Sequence, residues 1–198
     1  LGRNVLSPQG RPLPARGMAN VATTARTARC LWHGQSTFIA KPPIDRRNQV
    51  SRTGGTVNAT VASSGFTAST DTINDGTVNI TTAGYSVDLS GAGTGNGYSI
   101  TNTGGATTLT GSVNADTIIG GSGNDTITGG DGNDRLSGGD GNDIINGGRG
   151  SDTAFLGAGD DTFVWNPGDG SDTVEGQDGH DTLQFNGANV SEKFDLSA

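Results

Sequence analysis

Aspartates recur at nine-residue intervals through the middle of this 198-residue chain, at Asp116, Asp125, Asp134, Asp143, Asp152 and Asp161. Two residues after each stands Ile118, Ile127, Leu136, Ile145, Ala154 or Phe163. Three units are complete: Gly120-Gly121-Ser122-Gly123-Asn124-Asp125-Thr126-Ile127-Thr128, Gly129-Gly130-Asp131-Gly132-Asn133-Asp134-Arg135-Leu136-Ser137 and Gly138-Gly139-Asp140-Gly141-Asn142-Asp143-Ile144-Ile145-Asn146. Gly147 to Phe155 and Leu156 to Val164 follow with substitutions, and a degenerate unit, Gly111 to Ile119, precedes them. The donors are carboxylates and glycine-freed carbonyls, without His or Cys. Hard oxygen ligands of this kind select calcium over a transition metal, and a shell of six or more oxygens suits calcium better than magnesium.

The elements that must hold these donors follow from the same period. Glycine permits positive φ and tight curvature, so each unit reads as a six-residue turn followed by a three-residue strand that points one apolar residue inward. Two units make one coil of eighteen residues. Ile118 then stacks on Leu136 in one parallel sheet and Ile127 on Ile145 in the other, with a thin core between. Asp116, Asp134 and Asp152 line one edge; Asp125, Asp143 and Asp161 line the other. Rungs one strand spacing apart, ~4.8 Å, repel by roughly 1 kcal/mol in water and about 3 at an intermediate dielectric. A cation between the rungs resolves that repulsion. Past Val164 two residues are inserted at Trp165-Asn166, which is expected to disturb any site beyond Asp161. The register resumes with Asp172 and Val174, then Asp181 and Leu183; upstream the apolar position continues to Leu109 and Ile100 without acids.

The nonapeptide Gly-Gly-x-Gly-x-Asp-x-apolar-x resembles the calcium-binding repeat of the repeats-in-toxin (RTX) family. The resemblance implies an all-β fold, a parallel β-roll, that is, a two-sheet, right-handed β-helix-like solenoid. It also implies calcium between turns eighteen residues apart: carbonyls at the second and fourth positions and the Asp of one turn meet carbonyls at the first and third positions and the Asp of the next. Carried over, one site takes Gly121, Gly123 and Asp125 with Gly138, Asp140 and Asp143. A second takes Gly130, Gly132 and Asp134 with Gly147, Arg149 and Asp152. A third takes Gly139, Gly141 and Asp143 with Leu156, Ala158 and Asp161. A weaker fourth takes Ser112, Asn114 and Asp116 with Gly129, Asp131 and Asp134. Asp131, Asp140, Arg149, Leu156 and Ala158 serve through the carbonyl. Asp169, Asp172, Asp178 and Asp181 are candidates in a modified geometry.

The remainder of the chain sets limits on function. Leu, Ile, Val and Phe number 37 of 198 residues and the net charge is −8, a composition that folds only with a repeat or a ligand to help. No apolar run approaches the ~18 residues of a membrane span, and the single cysteine, Cys30, excludes a disulfide scaffold. Residues 1–52 carry nine Lys/Arg, one acid and five of the six prolines; they read as a disordered basic tail with no secretory signal. Residues 53–110, rich in Thr, Ser, Asn and Gly, read as short strands, with alternating runs at Thr77–Thr81 and Tyr85–Leu89. Residues 111–185 are the β-roll and 186–198 a cap or truncated continuation. The acidic, Gly-rich body disfavours nucleic acid.

Other chemistries fail on spacing. An EF-hand at Asp131-Gly132-Asn133-Asp134-Arg135 breaks at its fifth position. His33 and His180 make no zinc-protease motif, Ser36 and Ser86 lack the second glycine of a nucleophile elbow, and three sequons read as chance. Trp165, Phe155, Phe163 and Phe185 read as an end cap rather than a carbohydrate-stacking patch. The expectation is a non-enzymatic, secreted, calcium-binding β-roll; the rival is an accessory calcium-dependent module of a larger enzyme, toxin or adhesin, with a host polypeptide or surface partner.

Overall fold

The computed structural model describes residues 55–187, apart from 63 and 71, together with the backbone of 36–40. The rest of the basic segment, with Cys30, Trp32 and His33, and the stretch 188–198 lie outside the described residues.

The described chain is an all-β, two-sheet parallel solenoid. Its strands in chain order are β1 (Ser36–Ala40), β2 (Thr56–Val61), β3 (Phe66–Thr67), β4 (Thr77–Thr82), β5 (Val87–Asp88), β6 (Tyr98–Asn102), β7 (Thr108–Thr110), β8 (Thr117–Ser122), β9 (Thr126–Asp131), β10 (Arg135–Asp140), β11 (Ile144–Arg149), β12 (Thr153–Ala158), β13 (Thr162–Trp165), β14 (Thr173–Asp178) and β15 (Thr182–Phe185). From β2 onward the chain alternates between the sheets. One runs β1-β2-β4-β6-β8-β10-β12-β14, the other β3-β5-β7-β9-β11-β13-β15, and every neighbouring pair is parallel. β1, within the segment read as a tail, pairs with β2 from Ser36↔Val57 to Ala40↔Val61.

The apolar stack lies as the nine-residue period places it. Ile100, Ile118, Leu136 and Ala154 align in one sheet, and Leu109, Ile127, Ile145 and Phe163 in the other. All eight are buried. Upstream the same two sheets continue through Val57, Val78 and Ile80, and through Val87. Coils there are longer, with Phe66 aligned to Val87 and Val87 to Leu109, so the fixed period that reveals the later coils is missing.

The division of each unit differs from the expected six-residue turn and three-residue strand. β8 to β12 are six residues long and run through the first three turn positions; three-residue turns such as 123–125 join them. Stacked turns extend the ladder: Gly121 pairs with Gly139 and Gly139 with Gly157, each eighteen residues apart. Gly139 shows what this demands. Its φ is +117°, and an added Cβ would meet the carbonyl oxygen of Gly121 in the coil below. Only glycine satisfies both conditions.

The final coil is open. Val174 and Leu183 hold core positions, but Leu183 is 50% exposed. The four aromatics do not form one cap. Phe163 is buried in the core, Phe155 lies under the Arg135 guanidinium at 4.5 Å, and Trp165 stacks on Phe185 with centroids 4.4 Å apart.

Candidate metal centre

Two carboxylate ladders run along the edges of the solenoid. On one, the main-chain N–H of Asp116 donates to Asp134 Oδ1 at 2.8 Å and that of Asp134 to Asp152 Oδ1 at 2.8 Å. On the other, Asp125 N–H donates to Asp143 Oδ1 at 2.8 Å and Asp143 N–H to Asp161 Oδ1 at 2.7 Å. Both carboxylate ladders continue past the Trp165-Asn166 insertion: Asp152 N–H donates to Asp172 Oδ1 at 3.0 Å and Asp161 N–H to Asp181 Oδ1 at 3.2 Å, twenty residues on. The extra residues are absorbed in the turn after Trp165, where Asp169 Oδ2 accepts from the Asn166 N–H at 2.7 Å. At the upstream ends the carboxylates of Asp116 and Asp125 accept from the N–H groups of Tyr98 and Thr107, 2.6 and 2.7 Å away.

One oxygen is left over on six of the rungs. Oδ2 of Asp125, Asp134, Asp143, Asp152, Asp161 and Asp172 is buried and has no hydrogen-bond partner. An unpaired buried carboxylate oxygen is costly, so six in two rows require an explanation. Their surroundings supply one. An ideal Cβ on Gly120 would lie 2.6 Å from Asp125 Oδ2 and 2.5 Å from the Gly138 carbonyl oxygen. On Gly138 it would meet Asp143 Oδ2 and the Leu156 carbonyl; on Gly129, Asp134 Oδ2 and the Gly147 carbonyl. The orphan oxygens of Asp125, Asp134 and Asp143 therefore each share their space with a carbonyl from the next coil, a space open because the first unit position is glycine. Two acceptors without a donor between them are the setting for a cation.

The structure thus brings together Asp125 with Gly138, Asp134 with Gly147, and Asp143 with Leu156. The third-position carbonyls of Asp140, Arg149 and Ala158 accept from the N–H groups of Gly123, Gly132 and Gly141 at 2.7, 2.8 and 2.8 Å; a carbonyl has a second lone pair free for a metal. Gly121, Gly123, Gly130, Gly132, Gly139 and Gly141 all have positive φ. Leu156 is buried and contributes a core side chain as well as its carbonyl. Among the described residues no three His, Cys, Asp or Glu side chains converge on one point, so a cation here would draw most of its shell from the backbone.

Asp116 is the exception. Ser112, without the positive φ of the corresponding glycines, donates its N–H to Asp116 Oδ2 and its hydroxyl to Oδ1 at 3.2 Å. Both its oxygens accept hydrogen bonds, from Ser112 and from the Tyr98 N–H, so in the fourth set only Asp134 brings an orphan oxygen. Sequence reasoning also missed a second ladder at the fifth unit position. Asn124 Oδ1 accepts from the Asn142 N–H at 3.0 Å, Asn142 Oδ1 from the Asp160 N–H at 3.1 Å, and Asp160 Oδ1 from the exposed His180 N–H at 3.0 Å. The recurrence of Asn at that position was the available signal.

Burial is the main force on the carboxyls. It pushes Asp134 up to about 7 and Asp125 and Asp152 to about 6, against hydrogen bonds that lower them; neighbouring rungs add to the rise. Asp116, Asp143, Asp161 and Asp172 move in the same direction, chiefly through burial. A bound cation would reverse that balance by favouring the charged forms.

No curated protein and no solved structure gives a significant match to the chain. Family comparison matches residues 101–136, 128–163 and 168–189 to the RTX calcium-binding nonapeptide repeat, described as four copies. The segment from 101 to 189, built as a two-sheet parallel β-roll, carries the RTX calcium-binding nonapeptide repeat.

Proposed function

We propose that this chain binds calcium along both edges of the β-roll, and that calcium drives the acidic coils to fold outside the cell. The observation that carries the reading is the double row of buried, unpartnered Oδ2 atoms, with a carbonyl of the next coil beside those of Asp125, Asp134 and Asp143. The proposed sites pair Gly121, Gly123 and Asp125 with Gly138, Asp140 and Asp143; Gly130, Gly132 and Asp134 with Gly147, Arg149 and Asp152; and Gly139, Gly141 and Asp143 with Leu156, Ala158 and Asp161. Bound calcium supplies positive charge between carboxylates that otherwise repel. The chain's own residues fix the donors: Oδ1 is held by the main-chain N–H of the preceding coil, which aims Oδ2 inward. The protein acts as a binding module without catalysis of its own, by itself or within a larger secreted protein.

Extracellular calcium modules have dissociation constants of ~10⁻⁴–10⁻³ M. At tenfold excess each site adds about 1.4 kcal/mol, so three or four coupled sites add roughly 4–6, comparable with the whole stability of a marginal domain. Far-UV circular dichroism of the full chain with chelator, magnesium or calcium tests this. β signal should rise at millimolar calcium and not with equal magnesium; a spectrum indifferent to calcium would overturn the reading.

A further inference from the structure

The ladder of orphan oxygens begins abruptly, and the residue at its border is Asn102. Ser99, Ile100 and Thr101 of β6 pair with Thr117, Ile118 and Ile119 of β8. The next residues, Asn102 and Gly120, therefore open the same turn one coil apart. At Gly120 the Cβ space holds Asp125 Oδ2. One coil earlier the corresponding sixth position is Thr107, which has no carboxylate, and the first position carries a side chain.

That side chain is buried, at 2% exposure, and all its hydrogen-bonding groups are engaged. Nδ2 of Asn102 donates to the carbonyls of Gly104 and Gly105 at 3.3 and 3.0 Å. Oδ1 accepts from the N–H groups of Gly104 and Gly84 at 2.9 and 2.8 Å. An NH₂ group thus bridges turn carbonyls at the third and fourth positions, which in later coils belong to the calcium-ligand sets proposed above. The pattern continues upstream. Thr82, aligned with Asn102, closes its turn by donating to the Tyr85 carbonyl at 2.7 Å and accepting from the Tyr85 N–H at 3.0 Å. Asn74, 1% exposed, donates to the Gly97 carbonyl at 2.6 Å and accepts from the Gly76 N–H at 3.0 Å.

We propose that Asn102 is the boundary residue of the cation ladder: its carboxamide closes turn 102–107 in place of a cation, so the coils up to Thr110 fold without calcium and give the acidic coils a preformed edge to add to. The inference rests on the calcium-binding reading above and adds a direction, with coils joining from the N-terminal side. It also gives the core residues Val78, Ile80, Val87, Leu89 and Ile100 a role distinct from binding.

Hydrogen exchange read by mass spectrometry on the full chain tests both parts. In chelator, amides of β4 and β6 should be protected while those of β9 to β12 exchange freely; calcium should protect all of them. Asn102→Ala should abolish the protection of 98–110 in chelator and leave the calcium-dependent protection of β10 to β12 in place. A second variant keeps the test open if that one unfolds. Asn102→Gly with Thr103→Gly and Thr107→Asp recreates the repeat, and calorimetry should count one additional calcium per chain. The proposal is overturned if β4 and β6 are as unprotected in chelator as β10, if Asn102→Ala leaves that protection unchanged, or if the triple variant binds no additional calcium. Protection of β9 to β12 that ignores calcium is a separate result, which removes the calcium reading and this inference with it.

Discussion

The main-chain N–H of Asp125 donates to Asp143 Oδ1 at 2.8 Å, and Asp143 Oδ2 is left buried with no partner. This single relationship ties two coils together and frees one oxygen for a cation. Asp143 is the middle rung of its ladder, so its carboxylate borders the spaces shared with Asp125 and with Asp161. Asp143→Ala should therefore remove two calcium ions from the calorimetric stoichiometry. It also strands the Asp125 N–H, at about 1–3 kcal/mol. Asp131 is exposed at the third position, where Ser122 and Arg149 stand in other units, and its charge acts only through screened solvent. Asp131→Ala should keep the stoichiometry. Equal loss in the two variants would mean that the ligand assignment is wrong.

Two glycines with the same backbone sign separate strain from contact. Gly139 and Gly168 both have positive φ, +117° and +98°; a Cβ on Gly139 would strike the Gly121 carbonyl, whereas nothing lies within 4 Å of one on Gly168. Gly168→Ala should cost only the left-handed penalty, roughly 1–2 kcal/mol. Gly139→Ala should cost several times more, because the stacked coils must separate to admit the methyl group. Thermal unfolding in calcium measures both; equal shifts of midpoint would show that the coils are not packed as tightly as described.

The repeat region was legible in sequence because one period carries everything: glycine sets the turn, Asp faces the neighbouring coil, and the apolar residue fills the core. Ile118 over Leu136 and Ile127 over Ile145 follow from counting by nine. The six-residue strands did not, since the ladder between stacked glycines is a long-range property that no single unit encodes. The continuity of β2 to β7 with the same sheets was also hidden. Their coils repeat at about twenty residues with changing turn length, and Asn74, Thr82 and Asn102 close turns through contacts up to 23 residues away. The satisfied carboxylate of Asp116 depends on the backbone of Ser112, which composition cannot show.

The raised carboxyl pKa values give the calcium-free chain an acid preference. A group whose folded pKa lies above its unfolded value, about 3.9 for Asp, contributes stability that is fully present below the unfolded pKa and is lost as pH rises through the folded one. Asp125 and Asp152 at about 6 and Asp134 at about 7 set that window between roughly pH 4 and 7. In chelator, lowering the pH from 7.5 to 5 should raise the β signal. With calcium the sign reverses, because protons compete for the same oxygens, and the calcium needed for half-folding should increase as pH falls below 7. A calcium midpoint independent of pH between 5 and 7.5 would exclude buried carboxylates as the ligands.

Trp165 offers a reporter of the last coil. It pairs in register with Phe185, stacks on it at 4.4 Å and 4°, and donates its Nε1–H to the Gly170 carbonyl at 3.2 Å. The stack joins β13 to β15, so it exists only when the final coil is docked. Beyond its main-chain pairing to β12 and β13 that coil buries little apolar surface: Leu183 is half exposed, and Asp172 and Asp181 connect it to Asp152 and Asp161. A stacked aromatic pair contributes about 0.5–1.5 kcal/mol, a large share for so sparse a coil. The chain has two tryptophans, Trp32 and Trp165, so Trp32→Phe leaves Trp165 alone. Its emission should shift to the blue during a calcium titration, at concentrations equal to or above those that drive the main dichroism change. Adding Phe185→Ala should move the emission midpoint to higher calcium and leave the dichroism midpoint in place. Asp172→Ala should do the same by removing the rung instead of the stack. Emission that moves before the dichroism would show that the last coil folds first, and the order of assembly would then run from the C-terminal side.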